Sequence, residues 1–389
     1  MKNPVNIAKK SYNEILKINE LSLRLNTLEK EILYIKNQTQ INQQILDNIN
    51  ILKNQQDQIS QSLKRIEKIN ELYFYSTFRK PSESSIETKK RFFQSIPQAS
   101  GNLLLIQQGN SKLLQIFSKI CSKHKIPYWA SDGTLLGAVR HQGSIPWDDD
   151  IDVCMMRNDI HALEKILSKT DYCITIIYDA VNVSKQLRFR TKDPKNPCFI
   201  DIFIYDYATD NNENTWHDWI EKRNTILNYV HSTSNPLLSE WCKLITVDHC
   251  DHTKLSRYLD NFYEKTYGDI SGEIHTGGPG NVITATQVQK NPEKFKYIID
   301  GLDNLSPISK PNSPRVYEKN LIFPTKTLTY DGIKIQAPNK YHEYLENMYG
   351  DYLELPSDLV SHFHHIDRNS IDTQVIKDFL NPKNNHSII

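Results

Sequence analysis

The sequence predicts an α+β protein, a mixed central sheet with flanking helices, preceded by a long N-terminal helix. Three observations carry that prediction. None of the 13 glycines precedes Gly101, so the first hundred residues differ in texture from the rest. Within them, apolar residues recur at alternating steps of three and four, the period of a coiled coil. Beyond Gly101, short β-rich runs alternate with amphipathic helical stretches.

In the N-terminal part, Ile18, Leu21, Leu25, Leu28, Ile32 and Ile35 fit the a and d positions of a heptad. Polar Thr39 and Asn42 then occupy the seam before Leu46 and Ile49, and the step from Ile49 to Leu52 repeats a spacing of three. The pattern resumes at Ile59, Leu63 and Ile66. A helix over residues 12–73 would be about 90 Å long. Too long and narrow to stand alone in water, it predicts self-association through a coiled coil over residues 1–75. An amphipathic helix folded back on the body is the alternative. A basic membrane-surface helix fits less well, because Asn and Gln rather than Lys fill the polar face.

Residues 76–102, with Pro81, Ser82, Ser84 and Ser85 at one end and Pro97 to Gly101 at the other, read as linker. Leu103 to Lys125 is predicted helical, with Leu113, Leu114, Phe117 and Ile120 on one face. Predicted strands follow at Ile126–Ala130, Ile151–Met155, Ile174–Tyr178, Phe199–Ile204 and Thr327–Ile335. Predicted helices are Asp159–Lys169, Trp216–His231, Lys254–Tyr267 and Lys340–Tyr349. Residues 103–365 would form the catalytic domain and 366–389 a C-terminal tail.

Composition narrows the class. Hydrophobic residues make up 38% of 389 residues and the mean hydropathy is −0.56, below the roughly 45–50% apolar content of ordinary globular chains. Lys+Arg 47 against Asp+Glu 46 gives a net charge of +1, which argues against a generic basic binder of nucleic acid. No apolar run approaches the roughly 20 residues of a membrane span, and Met1-Lys2-Asn3-Pro4 lacks the apolar core of a signal peptide. The six cysteines are scattered without a Cys-x-x-Cys pair, the usage of a reducing compartment. A cytoplasmic location is expected. The neutral total also hides two unlike parts: residues 1–80 carry 13 basic and 8 acidic side chains, the remainder 34 and 38.

The chemistry concentrates in Ser131-Asp132-Gly133-Thr134-Leu135-Leu136-Gly137-Ala138-Val139-Arg140 and in Pro146-Trp147-Asp148-Asp149-Asp150-Ile151-Asp152-Val153. The first reads as a small-residue turn entering a helix, where Gly133 and Gly137 leave backbone open to a phosphate. In the second, four acids within five positions repel one another, so something must compensate them. On an extended backbone Asp148, Asp150 and Asp152 share one face while Asp149 faces away. Hard oxygen ligands so arranged suit Mg²⁺ or Mn²⁺. A further acid, Asp201, sits inside the apolar run Phe199-Ile200-Asp201-Ile202-Phe203, where it needs a partner, a proton or a metal. A Gly-Thr turn, an Asp-x-Asp strand and a single later Asp together spell the layout of the nucleotidyltransferase superfamily.

Asp-Gly-Thr-Leu-Leu-Gly-Ala-Val-Arg-His followed by Ile-Pro-Trp-Asp-Asp-Asp-Ile-Asp closely resembles the LicD family, whose distant kin include fukutin and the fukutin-related protein. The resemblance continues at Phe199 to Phe203. It returns at Phe323-Pro324, Tyr330-Asp331-Gly332, Ala337-Pro338, Tyr344-Leu345, Tyr349-Gly350-Asp351-Tyr352 and Leu355-Pro356. It implies transfer of a phospho-alcohol such as phosphocholine from a CDP-linked donor to a sugar hydroxyl of a surface glycan, with CMP released. It implies Asp150 and Asp152 as metal ligands, Asp201 as a third ligand or the base, and Asp148 as an outer ligand or supporting group. Asp132, Gly133, Thr134, Gly137 and Arg140 would contact the substrate. It also implies work at the cytoplasmic side, peripheral to the membrane. A nucleotidyltransferase moving NMP would use the same carboxylates, and a scaffold with a vestigial catalytic domain would use only the coil.

Other residues leave alternatives open. Arg188 and Arg190 alternate on one face ahead of Asp201; they could hold donor phosphates, neutralise the acids or line an exposed strand. His141 reads as structural. His275 to Asn281 is a Gly-rich segment that either closes over a substrate or simply turns. Cys242, His249, Cys250 and His252 match no common zinc spacing. His362, His364 and His365 read as surface histidines, and Tyr349 and Tyr352 as core or stacking aromatics.

Overall fold

The computed structural model describes residues 21, 24, 25, 28, 42–181, 183–208, 213–232, 234–244, 246–248, 250, 252–271, 294–301, 315–355 and 371–381. The chain divides into two compact units, residues 1–92 with 353–359 and residues 93–352 with 360–389.

In the first unit, helix α1 (Asn42–Phe78) carries the later part of the predicted coil. Ile18, Ile32, Ile35 and Thr39 of the seam lie outside the described residues. The region read as linker is not featureless: it holds helix α2 (Ser85–Ser95), which continues into the second unit. Its start is a capping box that the linker reading passed over. The Glu87 carboxylate accepts from Ser84 N at 2.8 Å and Ser84 Oγ accepts from Glu87 N at 3.3 Å. Phe92 packs edge-on against Phe74 and Phe78, both 5.2 Å away.

Among the described residues the second unit is built on an eight-stranded mixed sheet. Its elements run α3 (Gly101–His124), β1 (Trp129–Ala130), α4 (Asp132–Arg140), β2 (Asp152–Met156), α5 (Arg157–Leu167), β3 (Tyr172–Asp179), β4 (Ser184–Thr191) and β5 (Phe199–Ala208). After these come α6 (Glu213–Ser232), α7 (Pro236–Leu244), β6 (Thr246–Asp248), α8 (Lys254–Ser271), β7 (Tyr297–Asp300), β8 (Val316–Glu318) and α9 (Lys319–Ile322). A separate hairpin, β9 (Lys326–Tyr330) and β10 (Ile333–Ala337), precedes α10 (Tyr341–Tyr349) and α11 (Thr373–Leu380). The sheet order is β1-β2-β5-β4-β3-β6, with β7 joining the end of β5 and pairing β8.

Among the described residues only β2 and β5 pair in parallel, and every residue of β2 is buried, as a doubly covered central strand requires. The main core packs α3 against the sheet through Leu113, Leu114, Phe117, Val153, Phe189 and Ile202. A second core under α6, α7 and α8 is centred on Trp241, Leu259 and Tyr178.

Three predicted elements change. The single strand predicted over Thr327–Ile335 is a hairpin, because Asp331 and Gly332 have φ of 48° and 77°, the positive values a two-residue type I′ turn requires. The strand predicted from Ile126 pairs only at Trp129 and Ala130. The region read as a tail contains α11, whose Ile376 is fully buried. Among the described residues no helix is long and apolar enough to cross a membrane.

Candidate active site

Register creates the site. In the parallel β2–β5 pair Asp152 lies opposite Asp201, and in the antiparallel β4–β5 pair Arg188 lies opposite the same Asp201. Residues opposed across strands share a face, so Asp152, Asp201 and Arg188 form a row across three strands. Alternation fixes which face: Val153, Ile200 and Ile202 are buried in the core. The acids are far from solvent, with Asp152 7% and Asp201 1% exposed.

The segment before β2 departs from the sequence expectation. Asp148, Asp149 and Asp150 do not extend the strand; the ladder begins only at Asp152. Side chains of α3 hold this stretch instead. Gln107 Nε2 donates to the carbonyls of Ile145 (3.0 Å) and Asp148 (2.7 Å). Asn110 Nδ2 donates to Asp149 O at 2.9 Å while Asn110 Oδ1 accepts from Phe199 N at 3.2 Å. Asn110 thereby ties the acidic loop to the start of β5. Both amides are buried on an otherwise apolar helix face, where a polar group survives only with partners. That anomaly at i, i+3 was the signal in the sequence that could have found them.

Freed from a strand, the loop makes two groups. Carboxylate oxygens of Asp150, Asp152 and Asp201 all lie within 4.8 Å of one another, and so do those of Asp148, Asp149 and Asp150. Asp149 therefore does not face away as the extended reading had it; it is 1% exposed beside its neighbours. Burial, and then the charge of adjacent carboxylates, push Asp150 and Asp152 well above the usual carboxylate range. Three hard, mutually repelling oxygens at this separation fit a divalent cation such as Mg²⁺ or Mn²⁺. On the far side of the cluster Arg188 Nε donates to Asp201 Oδ1 at 2.9 Å, with the guanidinium 3.8 Å from the centre of the Phe199 ring. Arg188 thus neutralises an acid.

Helix α4 closes another side. A Cβ at Gly133 would stand 2.4 Å from Asp148 Oδ2, so glycine there makes room for that carboxylate. At Gly137 a Cβ would stand 2.4 Å from Gly143 O, and the open side faces the loop backbone. Thr134 is buried with its hydroxyl accepting from Asp152 N at 2.8 Å, which anchors the first residue of β2. Asp132, at φ 43°, accepts from Ser131 Oγ (2.8 Å) and from Arg315 Nη1 (3.1 Å). Ser131 Oγ also lies 2.7 Å from Tyr344 Oη. Arg315 carried no sequence signal; it reaches the site because β7 and β8 bring it beside α4, with its amide donating to Asp300 Oδ2 at 2.8 Å.

Arg140 is buried over the Phe93 ring at 4.3 Å and makes two long hydrogen bonds of 3.4 Å, to Tyr352 O and to His141 Nδ1. Burial lowers its pKa to about 10, opposed by the nearby Asp148 carboxylate, so it stays cationic at neutral pH. His141 is pushed down to about 3 by burial and then by the Arg140 charge; it is a neutral ring between Phe93 and Trp147. Tyr349 has a 43% exposed side chain, and burial of its hydroxyl followed by the charges of Asp132 and Asp152 keeps it protonated.

Arg190 is not drawn into this group. It donates to Pro194 O (3.3 Å) and Asn196 O (3.4 Å), and sits 3.7 Å from Asp248. Among the described residues, Cys242, Cys250 and His252 join no potential metal-binding group. His249, the segment His275 to Asn281 and the histidines at 362, 364 and 365 lie outside the described residues.

Residues 125–240 match the family model described as LicD/FKTN/FKRP, nucleotidyltransferase domain. The lipopolysaccharide cholinephosphotransferase LicD of Haemophilus influenzae is 28% identical over 271 residues, 65% of this chain and 92% of that protein. An uncharacterized protein of Rickettsia prowazekii is 42% identical over 77 residues, 19% of this chain and 29% of its own length. Human ribitol-5-phosphate transferase FKTN is 27% identical over 126 residues, 32% of this chain and 26% of its own. Both the acidic loop and the paired strands that carry Asp152 and Asp201 fall within the matched span, which is similar to the LicD/FKTN/FKRP nucleotidyltransferase domain.

Proposed function

We propose that this protein is a phosphotransferase that moves a phospho-alcohol from a CDP-linked donor to a sugar hydroxyl of a cell-surface glycan and releases CMP. The observation that carries the reading is the convergence within 4.8 Å of Asp150, from the acidic loop, with Asp152 and Asp201 on two adjacent parallel strands. The names of two relatives, a cholinephosphotransferase and a ribitol-5-phosphate transferase, share transfer of a phosphate-linked alcohol. The donor and the released nucleotide follow from the family resemblance.

Mg²⁺ or Mn²⁺ held by Asp150, Asp152 and Asp201 would supply the positive charge that a diphosphate needs in phosphoryl transfer. Asp148, pressed against Gly133, stands as an outer ligand or supports Asp150. Asp201, already accepting from Arg188, acts as a ligand rather than a free base. Arg140 keeps its charge in a buried setting, with hydrogen bonds of 3.4 Å to Tyr352 O and His141 Nδ1, and would take a phosphate oxygen. Arg315 aligns Asp132 at the mouth of α4. Gly133, Thr134 and Gly137 shape and anchor this wall. Arg190, engaged with the 193–196 loop, is assigned to holding β4 instead of substrate. The acceptor hydroxyl is the nucleophile, so positioning and charge carry the reaction. All six cysteines are free, Cys242 and Cys250 exposed, which supports work in a reducing compartment; the inner face of the membrane as its place follows from the family resemblance alone.

The test is a panel of CDP-choline, CDP-ethanolamine, CDP-ribitol and CDP-glycerol with crude surface glycan and Mn²⁺ or Mg²⁺. One donor should yield CMP, and Asp150→Ala or Asp152→Ala should lower the rate by at least about a thousandfold. A nucleotide-capped acceptor in place of CMP would establish the NMP-transfer alternative. No turnover of any donor would overturn the phospho-alcohol reading.

A further inference from the structure

Residues 142–150, between α4 and β2, lie outside the sheet ladder, yet they must hold Asp148 and Asp150 where Asp152 and Asp201 can meet them. Polar groups of α3 grip their C-terminal half, as described. The N-terminal half is gripped by the tip of the β9–β10 hairpin. Asp331 Oδ2 accepts from Ser144 Oγ (2.7 Å) and from Ser111 Oγ of α3 (2.7 Å), and Asp331 Oδ1 accepts from Ser144 N (3.1 Å). The Asp331 amide donates to Gln142 O at 3.1 Å, and Tyr330 Oη donates to Ser144 Oγ at 3.2 Å. The fit leaves no slack: a Cβ on Gly143 would stand 1.8 Å from Asp331 Oδ1. Ser118 Oγ donates to Lys334 O at 2.8 Å, so the hairpin is itself fastened to α3.

Resting on the metal reading above, we propose that Asp331 is a positioning residue that clamps the 142–150 loop and so sets the geometry of the acidic site. It touches neither donor nor reacting atoms. One carboxylate satisfies a backbone amide and two hydroxyls from two different elements, and a turn residue with φ 48° aims it. Aspartate tolerates that backbone and supplies the acceptors. A hairpin required only as a turn would need no carboxylate, and a loop required only as a connection would need no glycine beneath it.

The experiment uses the full chain with Mn²⁺ as the probe. Asp331→Gly removes the carboxylate without straining the positive φ. Asp331→Asn keeps an acceptor for Ser144 N, offers amide donors to the two hydroxyls and also tolerates the turn. In the metal-free protein, Asp331→Gly should speed hydrogen exchange within 142–150 while leaving β2 and β5 unchanged. It should weaken Mn²⁺ affinity by about tenfold, the scale of a lost outer-sphere support. Asp331→Asn should restore most of both. Unchanged exchange, wild-type Mn²⁺ affinity in Asp331→Gly, or an Asn variant as weak as the Gly variant would each overturn the clamp. Failure of the wild-type protein to bind Mn²⁺ would instead overturn the metal reading, and the exchange measurement would still decide whether Asp331 holds the loop.

Discussion

At the scale of single residues, the site is a problem in charge compensation. Asp201 is 1% exposed in an apolar strand, and it is ion-paired with Arg188, itself 17% exposed. A buried carboxylate stripped of its partner is costly, because desolvation remains while the attraction is lost. Arg188→Met should therefore destabilise the metal-free protein by about 3 kcal/mol in denaturant titration. Mn²⁺ should recover part of that loss, since a cation can replace the guanidinium's charge but not its stacking on Phe199. A variant as stable as wild type without metal would show that Asp201 is neutral in the fold and not a ready ligand. The contrast with Arg190 is instructive. It shares the strand and the face, yet two residues further along it meets loop carbonyls and Asp248 rather than the cluster.

At the scale of elements, strand alternation and helical period were legible, and local polar support was not. The runs around Val153 and Ile202 announce buried strands, and an acid inside each announces the site. Which strands pair, and therefore that Asp152 meets Asp201 at the same level, is a tertiary fact that no local pattern holds. The expectation that Asp148 to Asp152 form one extended face failed for a physical reason. Gln107 and Asn110 offer the backbone of 145–149 better partners than a ladder would, and the loop then folds Asp150 towards Asp152. Because burial and mutual charge raise Asp150 and Asp152 above their ordinary range, the metal-free fold retains protons that the unfolded chain releases near pH 4. Metal-free stability from this source consequently falls as pH rises through the raised values, and acid restores it. A divalent ion competes with those same protons. The gain in Tm on adding Mn²⁺ should accordingly be larger at pH 7.5 than at pH 5.5 in calorimetry, and equal gains would contradict a site built on these two acids.

At the scale of the whole molecule, the N-terminal unit contributes apolar surface rather than chemistry. Helix α1 is 37 residues long, or about 55 Å, and Ile51, Leu52, Ile59, Ile69, Leu72 and Tyr73 are exposed along it. Of the predicted seam, Leu63 and Ile66 are half-buried and Ile59 is 39% exposed. Water tolerates scattered apolar residues, but a periodic stripe over several heptads is the surface that a second copy would cover. Asn42 at a seam position would then limit register at some cost in stability. The full chain should sediment as an oligomer at micromolar concentration. Leu63→Asp combined with Ile66→Asp should convert it to monomer, because two carboxylates per helix cannot be desolvated against their copies. CMP release per chain should persist in that variant, since all the acids of the site lie in the other compact unit. A wild-type chain that sediments as a monomer would end the coiled-coil reading. A monomeric variant that lost activity would mean instead that assembly acts on the site itself, either by completing the acceptor's binding surface or by concentrating the enzyme where its glycan is made.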